Sequence, residues 1–342
     1  MRKVVIYGTS CIIVLLILFT VISLKAQFDY KPTAPLQPSS GPGGSDYIHS
    51  SVKESVYGEG QNQYWIFEPD NPHPKSAPVI VFLHGWGATT PTFYRAWIDH
   101  LVRKGNIVIY PRYQVDFSTP SDNFTPNSIR AVKEALIELE KDGHVKAQQE
   151  NFAIVGHSVG GLISVNMASL AISEGIPLPK VVFAVEPGKS RSSNDTVGPV
   201  LENLTKIHPN TLLLSLAGEN DDWVGDEDAR KIIRETTQIP LENKDFLLLS
   251  TDTHGQPPLW ADHFAPLAPK IRLEGNNTQI NISFWVDSRD YYGTWKLFDG
   301  LYEAGFYGKN REYALGNTTQ QRFMGIWSDG TPVKEIKVTD TP

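Results

Sequence analysis

The chain has 342 residues, 40% of them hydrophobic and 20% charged, with a formal net charge of −7. This is the composition of a globular chain with length for a large core, not of a disordered or fibrous one. The acidic balance and the lack of any basic run argue against a nucleic-acid partner. In chain order, Arg2 and Lys3 precede an uncharged apolar stretch over 4–24, followed by Lys25. At ~1.5 Å per residue that stretch is about 30 Å long, one hydrocarbon core. Residues 1–26 are therefore expected to be a transmembrane anchor or signal peptide. The remainder is then exported, either membrane-anchored by this single segment or secreted if it is cleaved. Cys11, the sole cysteine, lies inside it, so the exported part is expected to have neither disulfides nor thiol chemistry. Asn-x-Ser/Thr sequons begin at Asn123, Asn194, Asn203, Asn276, Asn281 and Asn317, an excess that fits a glycosylated surface.

Residues 27–51 are rich in Pro, Gly and Ser and read as a flexible linker. A strand and helix alternation follows, the pattern of a mainly parallel sheet flanked by helices. Strands are expected over 63–67, 79–83, 107–110, 152–155, 181–185, 211–216 and 246–250. Several are continuous apolar runs, as strands covered on both faces require. The clearest helical patterns are 128–141 and 162–174. After Pro266 the alternation stops. Residues 270–285 read as a polar insertion, 291–304 as a last helix on the sheet, and 322–338 as a hairpin turning at Ser328-Asp329-Gly330. The catalytic domain is expected over 52–308, with 309–342 as a C-terminal extension.

The most specific motif is Gly156-His157-Ser158-Val159-Gly160, with an apolar β-branched run before it and a helical segment after it. That is the strand–elbow–helix context of a nucleophilic serine. A serine hydroxyl is a poor nucleophile near neutrality. It needs a histidine base and an acid to orient that base. After the 211–216 strand comes Ala217-Gly-Glu-Asn-Asp-Asp-Trp-Val224, which selects Asp221 as the acid, with Asp222 and Glu219 as fallbacks. After the 246–250 strand come two histidines, His254 and His263. One is expected to be the base and the other a structural or pocket-lining residue. The oxyanion hole needs two backbone N–H donors, Val159 after the serine and one from His84-Gly85-Trp86-Gly87, where Trp86 is selected. Gly85, Tyr113, Trp223 and Trp260 are expected to line the substrate pocket, with Phe93 and Tyr94 near its mouth. His84 and His157 are assigned no catalytic role. No His or Cys spacing suggests a metal site, and no Gly-rich loop suggests a cofactor.

The motifs at 79–87, 156–161, 218–224 and 262–266, in this order, resemble the α/β-hydrolase superfamily. Within it the chain is similar to the group of dienelactone hydrolases, cutinase-like polyesterases, platelet-activating-factor acetylhydrolases and chlorophyllases. The resemblance spans about residues 63–304 and implies an α/β-hydrolase fold, a mainly parallel central sheet flanked by helices. Ala261-Asp-His263-Phe-Ala-Pro266 is similar to the catalytic-histidine segment of the cutinase-like enzymes, which favours His263 over His254. In those enzymes an aromatic residue at the position of Trp86 gives the second oxyanion N–H. Two departures stand out. The cutinase-like enzymes usually carry a Cys pair, absent here, and they lack the long loop before His263, which keeps His254 open. The tail after residue 308 matches none of them.

The expected activity is a serine carboxylic-ester hydrolase with an acyl-enzyme on Ser158, acting on a small-molecule, lipid or polymer ester. The competing readings are a peptidase or amidase on the same fold, and an inactive membrane-tethered binding protein.

Overall fold

The computed structural model describes residues 31–192, 195–270 and 285–342. The strands are β1 (Ser51–Tyr57), β2 (Tyr64–Asp70) and β3 (Ser76–Leu83). Helix α1 (Arg95–Arg103), β4 (Ile107–Pro111) and α2 (Phe124–Glu138) come next. Then follow β5 (Lys146–His157), α3 (Val159–Glu174) and β6 (Val181–Val185). A small antiparallel pair, β7 (Ser190–Ser192) and β8 (Asp195–Val197), stands apart from the main sheet. The main sheet resumes with β9 (Leu212–Gly218), α4 (Glu227–Glu235) and β10 (Lys244–Leu249). Helices α5 (Trp295–Tyr307) and α6 (Thr319–Arg322) and strand β11 (Lys337–Thr339) complete the described chain.

Nine described strands form one sheet in the order β1-β2-β4-β3-β5-β6-β9-β10-β11. The six from β4 to β10 run parallel, and β1, β2 and β11 are antiparallel to their neighbours. The period-2 alternation of a strand divides the core into two layers. In β3, Ile80 and Phe82 pack with Trp97 of α1 and Phe298 of α5, whereas Val79 and Val81 pack with Val132 of α2 and Ile163 of α3. A third cluster joins Val182, Leu213 and Ile232. Each fully buried Leu, Ile or Phe here contributes about 1.5–3 kcal/mol. Helix α3 is apolar on most sides because it is buried on most sides.

All seven expected strands are present, with ends shifted by a few residues. Three helices were unforeseen, α1, α4 and the short α6. Trp97, Ile98 and Leu101 face inward from α1, and Ala229, Ile232 and Ile233 from α4.

Two expectations are corrected. From residue 31 onward the expected linker is not a loose tether but part of the fold. The Gly43 N–H donates to Asp299 at 2.8 Å, the Ile48 and His49 N–H groups reach the Arg103 carbonyl at 3.1 Å, and the Gln256 N–H reaches the Pro32 carbonyl at 2.8 Å. Prolines and glycines there serve turns with long-range partners. The expected 322–338 hairpin forms only at its tip. Residues 328–330 do turn, but only one bridge, Ile326 to Pro332, closes it. The Trp327 N–H donates to the Thr331 carbonyl at 2.8 Å and the Val333 N–H to the Gly325 carbonyl at 3.0 Å on either side of that bridge. The pairing goes no further, while β11 pairs with the edge of β10. The tail shares the main core through Met324, Trp327, Val333 and Ile336.

The expected N-terminal membrane segment, Cys11, the sequons at Asn194, Asn276 and Asn281, and most of the 270–285 insertion lie outside the described residues. Asn123, Asn203 and Asn317 are exposed. Among the described residues no helix is long and apolar enough to cross a membrane.

Candidate active site

Strand β5 ends at His157, Val159 begins α3, and Ser158 turns between them with φ +58° and ψ −125°. A left-handed φ on a residue with a Cβ costs on the order of 1–3 kcal/mol and persists only where the surroundings enforce it. Here they do. The Ser158 N–H donates to the Val185 carbonyl at 2.9 Å. A Cβ at Gly156 would lie 2.1 Å from the Gly160 carbonyl oxygen, and one at Gly160 would lie 2.3 Å from that of Leu83. The turn can thus be this sharp only with glycine at both positions.

Ser158 Oγ lies 2.9 Å from His263 Nε2, and His263 Nδ1 lies 2.8 Å from Asp221 Oδ2. All three side chains are buried. Asp221 Oδ1 accepts from the Trp223 and Val224 N–H groups, both at 3.0 Å. That carboxylate acts as an acceptor throughout, so His263 Nδ1 carries the proton. Nε2 is left free to accept from the serine hydroxyl.

His254 lies elsewhere. Its Nε2 is 2.8 Å from Asp329 Oδ2, it packs on Trp327, and it is 40% exposed. The fallback acids are also apart. Asp222 is exposed, while Glu219 accepts from the Thr251 N–H at 3.0 Å and pairs with Lys337.

Val159 is the first residue of α3, where backbone N–H groups lack intrahelical partners. Among the described residues neither its N–H nor that of Trp86 has a hydrogen-bonding partner. Two such donors beside a serine, one at a helix N-terminus, can hold a developing oxyanion.

Above Ser158 and His263 opens a cavity of about 370 Å³. Its walls include Trp86, Phe93, Phe117, Trp223, Phe264 and Leu267, with Gly85 and Tyr94 also contributing. Trp86 meets Phe117 edge-on at 4.7 Å, and Trp223 meets Phe264 edge-on at 5.4 Å. Gly85 and Trp223, two of the four residues expected at a substrate pocket, line this cavity. Tyr113 and Trp260 do not, which corrects the sequence reading. Tyr113 is fully buried, stacks on His84 at 4.0 Å, and donates its hydroxyl to the His84 carbonyl at 2.8 Å. Trp260 belongs to the support of the histidine loop, its carbonyl bonded by the buried Arg289. A larger open depression of about 980 Å³ lies between Lys133, Pro177 and His208, at the amino ends of the strands, far from this chemistry.

The remaining buried histidines are fixed by their partners. Tyr94 Oη accepts the Gly85 N–H at 3.0 Å and lies 2.8 Å from His157 Nδ1. His157 Nε2 lies 2.9 Å from the His263 carbonyl, which can only accept, so His157 carries its proton there. This chain ties the oxyanion loop, the elbow and the histidine loop together. Burial pushes His84 down to about 3 and His157 well below the ordinary imidazole range, so both stay neutral.

Sequence reasoning missed Phe117, Phe264, Leu267 and one carboxyl, Glu186. Glu186 follows β6 directly, and an acid ending an apolar strand at its carboxyl end was the available signal. His157, Glu186 and His263 each offer one ligand atom, all within 4.8 Å of one another. Both nitrogens already donate, to the His263 carbonyl and to Asp221, so as arranged they do not present lone pairs to a cation.

A family model described as Chlorophyllase matches residues 56–216. Among curated proteins, "Putative esterase/lipase 2" of Mycoplasma genitalium is 26% identical over 146 residues, 42% of this chain and 49% of that protein. The chain thus spans about half the length of the curated relative it matches. Among solved structures, the chain is similar to one of two esterases from Rhizomucor miehei, with 14% identity and a TM-score of 0.47 over 66% of this chain and 81% of that one. It is also similar to a thermostable esterase from Pseudomonas putida, with 22% identity and a TM-score of 0.35 over 42% of this chain and 45% of that one.

Proposed function

Because the chain belongs to the α/β-hydrolase superfamily, we propose that it is a serine carboxylic-ester hydrolase. The observation that carries this reading is the pair of contacts at 2.9 and 2.8 Å linking Ser158, His263 and Asp221, of which Ser158 and His263 line an aromatic cavity. In this mechanism Ser158 Oγ attacks the ester carbonyl as His263 Nε2 takes its proton. Asp221 holds the Nδ1–H and stabilises the imidazolium. The Val159 and Trp86 N–H groups hold the oxyanion. His263 then protonates the leaving alkoxide, and water, activated by the same imidazole, releases the acid from the acyl-enzyme.

The names Chlorophyllase and esterase/lipase on similar proteins favour an ester over an amide substrate. The aromatic walls favour an apolar acyl or aromatic group, and about 370 Å³ suits a small ester or one end of a larger one.

The test is p-nitrophenyl butyrate hydrolysis by the purified chain and by Ser158→Ala. Hydrolysis by the parent, lost by several orders of magnitude in the folded variant, is the expected result. An equal rate in the two would overturn the assignment, as would faster cleavage of an aminoacyl anilide than of the ester by the parent.

A further inference from the structure

Beside His263 lies a carboxyl that this mechanism does not use. Glu186 is fully buried, and its φ of +45° is left-handed. Its N–H donates to the Leu216 carbonyl at 2.6 Å, which fixes the backbone at the end of β6. Oε2 lies 3.8 Å from His263 Nδ1 and 3.5 Å from His157 Nε2. Neither carboxyl oxygen has a hydrogen-bond partner among the described residues. Space for the group is left at Gly218, where a Cβ would lie 2.9 Å from Oε1. A buried carboxyl without partners costs free energy, as does the backbone it sits on. An apolar side chain would fill the same space without the first cost, so filling space does not account for a glutamate here.

We propose, on the footing of the esterase reading above, that Glu186 is a positioning residue for His263, a second carboxyl held beside the Asp221 pair that takes over support of the imidazole when Asp221 is lost.

The groups facing Glu186 explain the division of labour. They are His157 at the end of β5, Asp221 after β9, Asp262 and His263 on the histidine loop, and Arg289 before α5. Burial raises the Glu186 carboxyl well above the ordinary range, Asp221 and Asp262 add to this, and Arg289 opposes it. With Asp221 in place the neutral form of Glu186 is therefore favoured, and Asp221 supplies the charge. Replacing Asp221 by an amide removes one anion that holds Glu186 neutral. Glu186 can then release its proton to solvent and face the imidazolium that forms when His263 takes the Ser158 proton.

The test follows phosphonylation of Ser158 by a fluorophosphonate in the full chain, across pH, for the parent, Asp221→Asn, Glu186→Gln and the double variant. This readout needs the activated serine but no particular ester. Where one acid serves the base, its amide costs about 10⁴ in rate. Here Asp221→Asn is expected to lose only about 10², Glu186→Gln a few-fold, and the double variant about 10² beyond Asp221→Asn. A carboxylate near an imidazole favours its protonated form, so the acid limb of Asp221→Asn should lie at higher pH than that of the double variant. Glu186→Met keeps the volume and serves in place of Gln if that variant unfolds. A double variant no slower than the product of the singles, or an unmoved acid limb, would overturn the inference and leave the esterase reading standing. A folded parent whose Ser158 does not react would bring down both.

Discussion

Hydroxyl–histidine–carboxylate chains recur among the described residues, Tyr57–His144–Glu68 with contacts of 3.1 and 2.9 Å among them, and two others differ sharply in what they can do. One is Ser158–His263–Asp221, with contacts of 2.9 and 2.8 Å. The other is Tyr47–His100–Asp299, with contacts of 3.1 and 2.9 Å. Distances barely separate them. What does is where each hydroxyl points. Ser158 lies under the aromatic cavity at the carboxyl ends of the parallel strands, beside two free backbone N–H donors. Tyr47 is clamped by Gln37 at 3.1 Å and lies under the Arg103 guanidinium, 3.8 Å from its ring. Asp299 also accepts the Gly43 N–H. The second chain fastens the N-terminal segment to α1 and α5. A relay becomes an active site through access and an oxyanion pocket, not through the relay itself.

The largest effects should separate the two chains by type of damage. His263→Ala is expected to cut p-nitrophenyl butyrate turnover by about 10³ to 10⁶ while leaving the unfolding transition nearly in place. Asp299→Ala should do the reverse. Removing one partner of a buried pair costs about 3–5 kcal/mol. It should therefore lower the denaturant midpoint strongly, with kcat retained under conditions where the variant remains folded. Loss of turnover in folded Asp299→Ala would break the distinction.

A smaller effect tests the cavity wall. Trp223 is 46% exposed and its ring lies roughly parallel to that of His263 at 6.3 Å. Trp223→Ala should lower kcat/KM for the butyrate ester by about tenfold, ~1.4 kcal/mol. The acetate ester, with less acyl surface to cover, should lose less. Equal losses would assign the ring to the leaving-group side.

Lys296 gives a pH test of the structural region. Its Nζ is buried and donates to the Gln321 and Phe323 carbonyls at 2.9 and 2.6 Å. Burial pushes it down to about 7. The unfolded chain then binds more protons than the folded one between about pH 7 and the ordinary lysine value near 10.4. Stability due to this group should therefore rise with pH across that window and be flat below it. Lys296→Met should flatten that slope in urea titrations at pH 7 and 9, and an unchanged slope would count against the assignment.

The elbow and the sheet were legible because their signals are local. An apolar β-branched run, Gly-x-Ser-x-Gly and a helical period lie within about thirty residues of each other, and each of the seven strands carries its own apolar pattern. What was misread depends on distant partners. Residues 31–50 have a linker's composition, yet their bonds go to Arg103, Gln256 and Asp299. The final strand left its own hairpin for the open edge of β10. Tyr113 and Trp260 have the right residue type for a pocket wall, but aromatic type does not fix direction. The two histidines after β10 were separable only through a resemblance, since each follows the strand within reach of an acid.

Those two histidines give the smallest and sharpest comparison. His263–Asp221 and His254–Asp329 have the same 2.8 Å contact. The first is buried at 5% and 0% side-chain exposure, the second open at 40% and 35%. The second pair lies open to water, and ordering its side chains offsets most of what the contact contributes. His254→Ala should therefore leave turnover within about twofold of the parent and the melting temperature little changed, in the range usual for surface substitutions. Because His254 packs on Trp327, whose indole N–H bonds Asp252 at 3.1 Å, any measurable loss should be of stability in the C-terminal turn and not of kcat. A large fall in kcat in folded His254→Ala, matched by a small one in His263→Ala, would transfer the base to the exposed pair. That outcome would require the C-terminal turn to swing toward Ser158 during the reaction.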